Sequence, residues 1–288
     1  METKQLKWVY LLILSLIWGS SFILIKRGLV GLTAIQVGSF RIIFASLFLL
    51  IVGFKSLKKI PLHKWKFIAL TSLFGTFIPA YFFAIAETEV DSSIVAILNA
   101  LTPLNTLVLG AILFGIQFQK RQFLGVFIGL LGCLLLVFNG AENHPNQNYY
   151  YTILVVIATI CYAVNVNLIK KYLSDLSSLS ITTGNFAVLL LPALIILSTT
   201  DISERIHTEA AQNSILFVLI LGVIGTGIAN VLFFKLIQMS SPVFATSVTY
   251  LIPIVAFFWG LLDSEMLTQI QFLGALIVLV GVYLSAKK

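Results

Sequence analysis

The sequence predicts an all-α membrane protein of ten transmembrane helices, arranged as two inverted five-helix repeats with both termini in the cytoplasm. Three observations predict it. First, hydrophobic residues make up 59% of the 288-residue chain and charged residues 10%. Soluble domains hold roughly 45–50% and about 25%, and only a lipid solvent tolerates so apolar a surface. Second, one pattern occurs twice. Gln122-Phe123-Leu124-Gly125 followed by Gly132 returns as Gln271-Phe272-Leu273-Gly274 followed by Gly281. Gly75-Thr76 returns as Gly225-Thr226, Pro103 as Pro253, and Ile25-Lys26-Arg27 as Ile169-Lys170-Lys171. Third, the basic residues fall on one side. With both termini inside, 14 Lys and Arg lie inside, 3 lie outside (Lys26, Arg27 and Arg205), and Arg41 is left within a span. That is a strong positive-inside bias. The acids fall mostly on the other side and have little weight in the rule.

Ten apolar segments approach the ~20 residues that a helix needs to cross a bilayer core. The first, 8–25, ends in Lys26-Arg27 with no small-residue cleavage site and is too long for a signal-peptide core. The second, 33–52, carries Arg41, and the third, 66–86, carries Pro79. Asp91-Ser92-Ser93 can cap the fourth, 93–115, which holds Pro103. The fifth, 122–139, carries Gly125, Gly129 and Gly132. After the polar stretch 140–149 come 150–169, 179–199 with Pro192, and 214–236. Ser241-Pro242 opens the ninth, 242–262, with proline in the first turn, where its missing N–H costs nothing. The tenth, 268–285, repeats the glycine spacing with Gly274 and Gly281. Such glycines let helices approach closely, inside one chain or across a dimer, and the internal packing is the favoured reading. Barrel strands would be half as long and strictly alternating, and lipid leaves the backbone no other way than helices to satisfy itself.

The repeat divides the chain into 1–140 and 141–288. Five spans per copy is odd, so the second copy starts on the opposite side of the membrane. Inverted repeats of this kind build secondary transporters, with substrate held near the midplane between the halves.

Composition and motifs also exclude classes. The +7 charge sits in short loops, where it sets orientation, and it does not mark nucleic-acid binding. Cys133 and Cys161 lie in apolar spans, without metal-ligand spacing or a disulfide framework. There is no Walker A run and no His-Glu-x-x-His helix. His63, His144 and His207 all fall in loops. No catalytic residue, cofactor or metal is expected.

The run Ile17-Trp18-Gly19-Ser20-Ser21-Phe22, followed by Lys26, Gly28 and Phe40-Arg41, resembles the first helices of the EamA family in the drug/metabolite transporter superfamily. The Pro103 span followed by Gln122, Gly125 and Gly132, and its copy from Pro253 through Glu265, Gln271, Gly274 and Gly281, fit the end of that family's repeat. The resemblance covers essentially the whole chain. It implies export of small metabolites, often amino acids or related compounds, without ATP hydrolysis. It also implies a central cavity lined mainly by the first, third, fourth, sixth, eighth and ninth spans. The chain departs from the pattern where Ile116-Gln117 stands in place of an acid. The halves have diverged too, with Arg41 matched by Asn185, Trp18-Gly19 by Tyr162-Ala163, and Ser21 by Asn165.

Arg41 is the sharpest single residue. It sits ~12 Å from either end of its span at 1.5 Å per residue, where a charge costs at least ~2.5 kcal/mol. It holds an anionic substrate group or a gating carboxylate, or it ties carbonyls within the bundle. Polar residues and their aromatic neighbours supply the substrate-binding candidates: Trp18, Ser21, Tyr81, Asn99, Thr102, Tyr162, Asn165, Asn230, Thr249 and Tyr250. They suit a zwitterionic or moderately polar solute, and interhelical hydrogen bonding is their plainer use. Asn165 and Asn167 are two apart and point about 160° from each other. Pro103 and Pro253 set bends that widen the cavity, act as pivots, or are static kinks. Glu87, Glu89, Asp263 and Glu265 lie near outer helix ends, as solvated loop acids or as a proton site coupling export to a gradient.

The reading is thus a multi-pass exporter of the bacterial inner (cytoplasmic) membrane working by alternating access. Its partners are a small-molecule substrate and the lipid bilayer, with no nucleic acid. Proton or ion coupling stays open, as does the choice between monomer and homodimer. The rivals are an uptake, nucleotide-sugar or drug transporter of the same fold, and a membrane structural or regulatory protein that moves nothing.

Overall fold

The computed structural model describes residues 3–90, 92–141, 148–262 and 269–286. Asp91, Asp263 and Glu265 lie outside the described residues. The regular structure among them is helical. In chain order the helices are α1 (Thr3–Gly19), α2 (Ser21–Gly28), α3 (Ala34–Leu57), α4 (Trp65–Ser72), α5 (Ile78–Ala86), α6 (Ser92–Asn99), α7 (Thr102–Phe114) and α8 (Lys120–Ala141). They continue with α9 (Thr152–Tyr172), α10 (Ser178–Ser198), α11 (Ile202–Arg205), α12 (Glu209–Ile220), α13 (Ala229–Met239), α14 (Pro242–Thr246), α15 (Val248–Leu262) and α16 (Gln269–Ala286). Each apolar segment of the sequence falls on one of these helices or on two joined nearly end to end.

Six stretches among the described residues are long and apolar enough to cross a membrane. They are Gln5–Gly28, Ala34–Leu57, Leu62–Ala86, Thr152–Tyr172, Ser178–Ser198 and Glu209–Met239, with shorter apolar helices at Thr102–Phe114 and Pro242–Val255. Large apolar side chains such as Leu16, Ile51, Phe54, Ile112, Leu191 and Leu279 stand fully outward. In water such a surface would aggregate; in lipid it is the solvated face.

The helices pack in a recurring way. α8 runs along α16, α3 along α10, α9 touches α5 and α7, and α1 touches α13 and α15. The α8–α16 contact depends on glycine: a Cβ on Gly281 would stand 2.4 Å from the backbone nitrogen of Gly129 and 2.8 Å from the Gly125 carbonyl. This glycine face therefore closes within one chain. Gly19 lets α1 end against α15, where a Cβ would meet Val255 at 2.5 Å.

Two connections are π-helical. Leu73–Phe77 joins α4 to α5, and Leu221–Ile228 joins α12 to α13. They contain the repeated pairs Gly75-Thr76 and Gly225-Thr226. A π turn widens the helix by one residue per turn and commonly marks a functional place.

Two expectations change with these boundaries. The helix carrying Arg41 runs on to Leu57, so Arg41 lies about 10 Å from its start at 1.5 Å per residue, in its first third and not near the middle. Its start is fixed by a capping box: Thr33 Oγ1 accepts from the Gln36 N–H, and Gln36 Oε1 accepts from the Thr33 N–H at 2.9 Å. Gln36 Nε2 then donates to Asp201 at 2.9 Å, tying α3 to the connection after α10. Pro103 is not a mid-helix kink. The segment breaks at Ala100-Leu101, and Pro103 sits in the first turn of α7, where no hydrogen bond is lost. Pro253 does lie inside its helix, α15, so the two matched prolines do different work.

One end of the bundle is laced by lysines. Lys170 Nζ donates to the Ile237 and Ser240 carbonyls at 3.1 and 2.7 Å, at the C-terminus of α13. Lys171 Nζ donates to the Phe114 carbonyl at the end of α7, and Lys64 Nζ to the Tyr172 carbonyl at the end of α9 and to Asp175. Cations at helix C-termini complete the orphan carbonyls and oppose the dipole.

Candidate functional site

A cavity opens between the helices. It is lined by Trp18, Ser21, Phe22 and Ile25 from α1–α2, by Arg41 from α3, and by Gly75, Thr76, Ala80 and Phe83 from the first π segment and α5. Asn99 and Thr102, Tyr162 and Asn165, Thr226, Asn230 and Phe233, and Thr246, Thr249 and Ile252 complete it. The space amounts to about 810 Å³ when the open solvent at its mouth is included.

Aromatic pairs bracket it. Trp18 stands edge-on to Phe233 at 4.9 Å between ring centres, and its indole Nε1 donates to the Gly225 carbonyl at 2.9 Å. Toward the other end Phe22, Phe83 and Tyr162 form a ladder, with centres 6.3 and 5.9 Å apart.

Eight of the ten predicted binding residues are brought together here: Trp18, Ser21, Asn99, Thr102, Tyr162, Asn165, Asn230 and Thr249. Tyr81 and Tyr250 are placed elsewhere. Tyr81 turns toward α3, its hydroxyl 3.0 Å from Ser39 Oγ and its ring filling the space over Gly38. Tyr250 turns toward α8, donating to the Val126 carbonyl at 2.8 Å with its ring on Gly129. Each neighbours a lining residue, and adjacent helical positions point about 100° apart. Asn167 likewise turns from the cavity and donates to the Thr106 and Ala163 carbonyls, joining α9 to α7. Pro103 and Pro253 are not in the lining.

Arg41 reaches the cavity from α3. Its Nε–H donates to Thr226 Oγ1 at 2.7 Å, and Thr226 in turn donates to the Leu221 carbonyl at 3.0 Å, five residues back in the π segment. The other guanidinium nitrogens make no hydrogen bond among the described residues. The side chain is thus fixed by one edge in the lining of the cavity. Thr76, Thr226 and Thr246 also line the cavity but carried no sign of it in the sequence beyond the first two belonging to the repeated Gly-Thr pair.

Glu87 follows α5. Its Oε2 accepts from Ser92 Oγ at 2.9 Å, while Oε1 is buried without a partner. Burial pushes this carboxyl up to about 8, against the pull of the Ser92 hydrogen bond and the positive charges of Arg41 and Lys26. Among the described residues, no group of three or more His, Cys, Asp and Glu side chains is placed to hold a metal.

The model of the EamA-like transporter family matches residues 6–138 and again 150–287. The chain belongs to the EamA-like transporter family. It is a multi-pass transporter of the inner membrane and not an enzyme. It is 28% identical over 275 residues to the uncharacterized inner membrane transporter YedA of Escherichia coli strain K12, covering 94% of this chain and 87% of that one. It is 22% identical over 287 residues to a probable amino-acid metabolite efflux pump of the same strain, covering 96% and 93%. A solved crystal structure shares the fold, with a TM-score of 0.75 at 14% identity, covering 96% of this chain and 94% of that one.

Proposed function

We propose that this EamA-family transporter exports small metabolites, amino acids or related compounds, across the inner membrane by alternating access. Ten helical spans form two inverted five-helix halves, 1–140 and 141–288, with both termini cytoplasmic. The observation that carries the reading is Arg41: a guanidinium held by one edge on Thr226, in the lining of a cavity of amides, hydroxyls and aromatic rings. A charge so placed is expensive unless water or a ligand's anionic group meets it. The paired packing of α3 with α10 and of α8 with α16 supports the inverted arrangement, because each pair joins matched segments of the sequence repeat. The lysine lacing marks the cytoplasmic end in this orientation, and alternation requires those carbonyl contacts to part. The name of the efflux pump at 22% identity favours amino acids and the outward direction.

The test is uptake into inside-out vesicles of a labelled panel of amino acids and metabolites, with and without a pH gradient. Accumulation of a panel member, lost in Arg41→Gln at normal abundance and retained in Thr226→Val, is expected. No accumulation of any compound under any gradient sinks the exporter reading. Equal loss in both variants would instead make Arg41 a structural tie to Thr226.

A further inference from the structure

The two π segments carry the same Gly-Thr pair, and each glycine rests on a polar side chain from the helix that opens the other half. A Cβ on Gly75 would stand 2.6 Å from either end of the Asn165 amide, and a Cβ on Gly225 2.9 Å from Ser21 Oγ. The threonines differ in what they bind. Thr226 Oγ1 accepts from Arg41 and donates to Leu221. Thr76 Oγ1 is buried with no partner, and so is Asn165 Oδ1 beside Gly75. Thr76 is 4% exposed and Asn165 2%, and both line the cavity.

One matched position differs between the halves. The position that matches Arg41 is Asn185 in α10, and its amide meets Thr71 at 2.9 Å and leaves Thr76 alone. Arg41 and Thr226 therefore form a cationic, donor-rich pole where α3 meets the second π segment. Thr76 and Asn165 form an acceptor pole where α9 meets the first. Buried polar groups normally find partners. A vacant acceptor pair in the same cavity as a half-used guanidinium calls for a ligand with both kinds of group.

We propose that Thr76 and Asn165 are an ammonium subsite, and that the cavity selects α-amino-acid zwitterions: carboxylate on Arg41, ammonium on Thr76 Oγ1 and Asn165 Oδ1. The apolar side chain then lies against Phe22 and Phe83. An ammonium has three donors and no acceptor, which suits two neutral oxygens. A neutral pole also leaves the bound amino acid free to depart when the cavity reopens.

The proposal rests on the transport reading, but its test needs no transport. Binding to the detergent-solubilised chain is followed by calorimetry for each of the twenty standard L-amino acids. Three probes are then compared: L-leucine, 4-methylpentanoate, which lacks the ammonium, and 3-methylbutylamine, which lacks the carboxylate. Leucine is expected to bind at least tenfold more tightly than either fragment. Thr76→Val and Asn165→Leu should bring leucine down to the level of 4-methylpentanoate without weakening 4-methylpentanoate itself, and Thr76→Ser should restore it. Arg41→Gln should weaken leucine and 4-methylpentanoate but not the amine. Equal binding of leucine and 4-methylpentanoate overturns the subsite, as does an equal loss of both in Thr76→Val. So does a failure of every amino acid to bind; if the vesicles still accumulate another solute, export stands and the zwitterion site alone falls.

Discussion

Adding one methyl group at each repeated glycine separates the two poles. At Gly75 the new Cβ would lie 2.5 Å from Asn165 Cγ, against an ordinary contact of 3.4 Å, so the amide must yield by about 0.9 Å (3.4 − 2.5). Asn165 is held in the middle of α9 with its Oδ1 already buried. Relief requires an off-rotamer side chain, about 0.5–1.5 kcal/mol, or a shift of α9 within the range of about 1–3 kcal/mol for overpacked sites. Either response moves the Asn165 oxygen out of its place. At Gly225 the nearest atom is Ser21 Oγ at 2.9 Å, a deficit of about 0.5 Å (3.4 − 2.9), and next comes Leu221 Cδ1 at 3.1 Å. A hydroxyl and the end of a leucine give way more easily, for about 1 kcal/mol or less, at the low end of overpacking. Gly75→Ala should therefore lower the melting temperature in detergent by a few degrees and weaken amino-acid binding tenfold or more. Gly225→Ala should change each far less. Leucine binding at full strength in Gly75→Ala, or greater damage from Gly225→Ala, would refute the assignment of Asn165 to the substrate.

Glu87 gives a pH dependence. A carboxyl raised to about 8 in the fold from 4.5 holds its proton in the folded state across that window. Its contribution to stability therefore falls as pH rises from 4.5 to 8 and levels off above. Glu87→Gln should flatten that part of the melting-temperature profile and exceed the native chain above pH 8, and parallel profiles would disprove the burial of a neutral carboxyl. Tyr250→Phe removes the 2.8 Å bond to the Val126 carbonyl. It should cost about 1 kcal/mol of stability and leave accumulation in vesicles unchanged, because Tyr250 faces α8; a selective loss of transport would contradict that placement. Gly281→Ala sets a Cβ 2.4 Å from the Gly129 backbone, so α8 and α16 must part by about 1.0 Å (3.4 − 2.4). Backbone cannot rotate away, and about 1–3 kcal/mol of destabilisation is expected; a melting temperature equal to the native one would show that this pair does not depend on the glycine.

Much of the site was legible because lipid makes polarity informative. An amide or hydroxyl inside an apolar segment needs a reason, and Asn99, Asn165, Asn230 and Thr249 were found that way. Polarity names the residue but not the face. Tyr81 and Tyr250 carry the same hydroxyl as Tyr162, yet a turn of about 100° sends them to Ser39 and Val126. The interrupted helices were less legible. Ala100-Leu101 contains no glycine or proline, so Pro103 read as a kink inside one long helix and not as the first turn of a second. The π segments were hidden for a similar reason: Gly75-Thr76 and Gly225-Thr226 stood out as copies of each other, but nothing local in a Gly-Thr pair announces a widened turn. Only the partner across the interface, Asn165 or Ser21, explains why the backbone must come so close.

The difference between the two π segments explains how a duplicated fold could bind a ligand that is not itself symmetric. Two equal bulges would offer two equal poles, and an amino acid would fit in either sense or in neither. With an arginine at 185, Thr76 would be engaged as Thr226 is, and two guanidiniums would face one cavity. That arrangement favours a dianion and repels an ammonium. The asparagine at 185 meets Thr71, carries no charge and leaves the Thr76 oxygen open. The same Gly-Thr pair stands in both π segments, while the chemistry at the two threonines differs. Introducing a charge with Asn185→Arg should then shift binding from leucine toward dicarboxylates such as succinate. Unchanged preference would mean that the side chain at 185 does not govern the vacancy at Thr76.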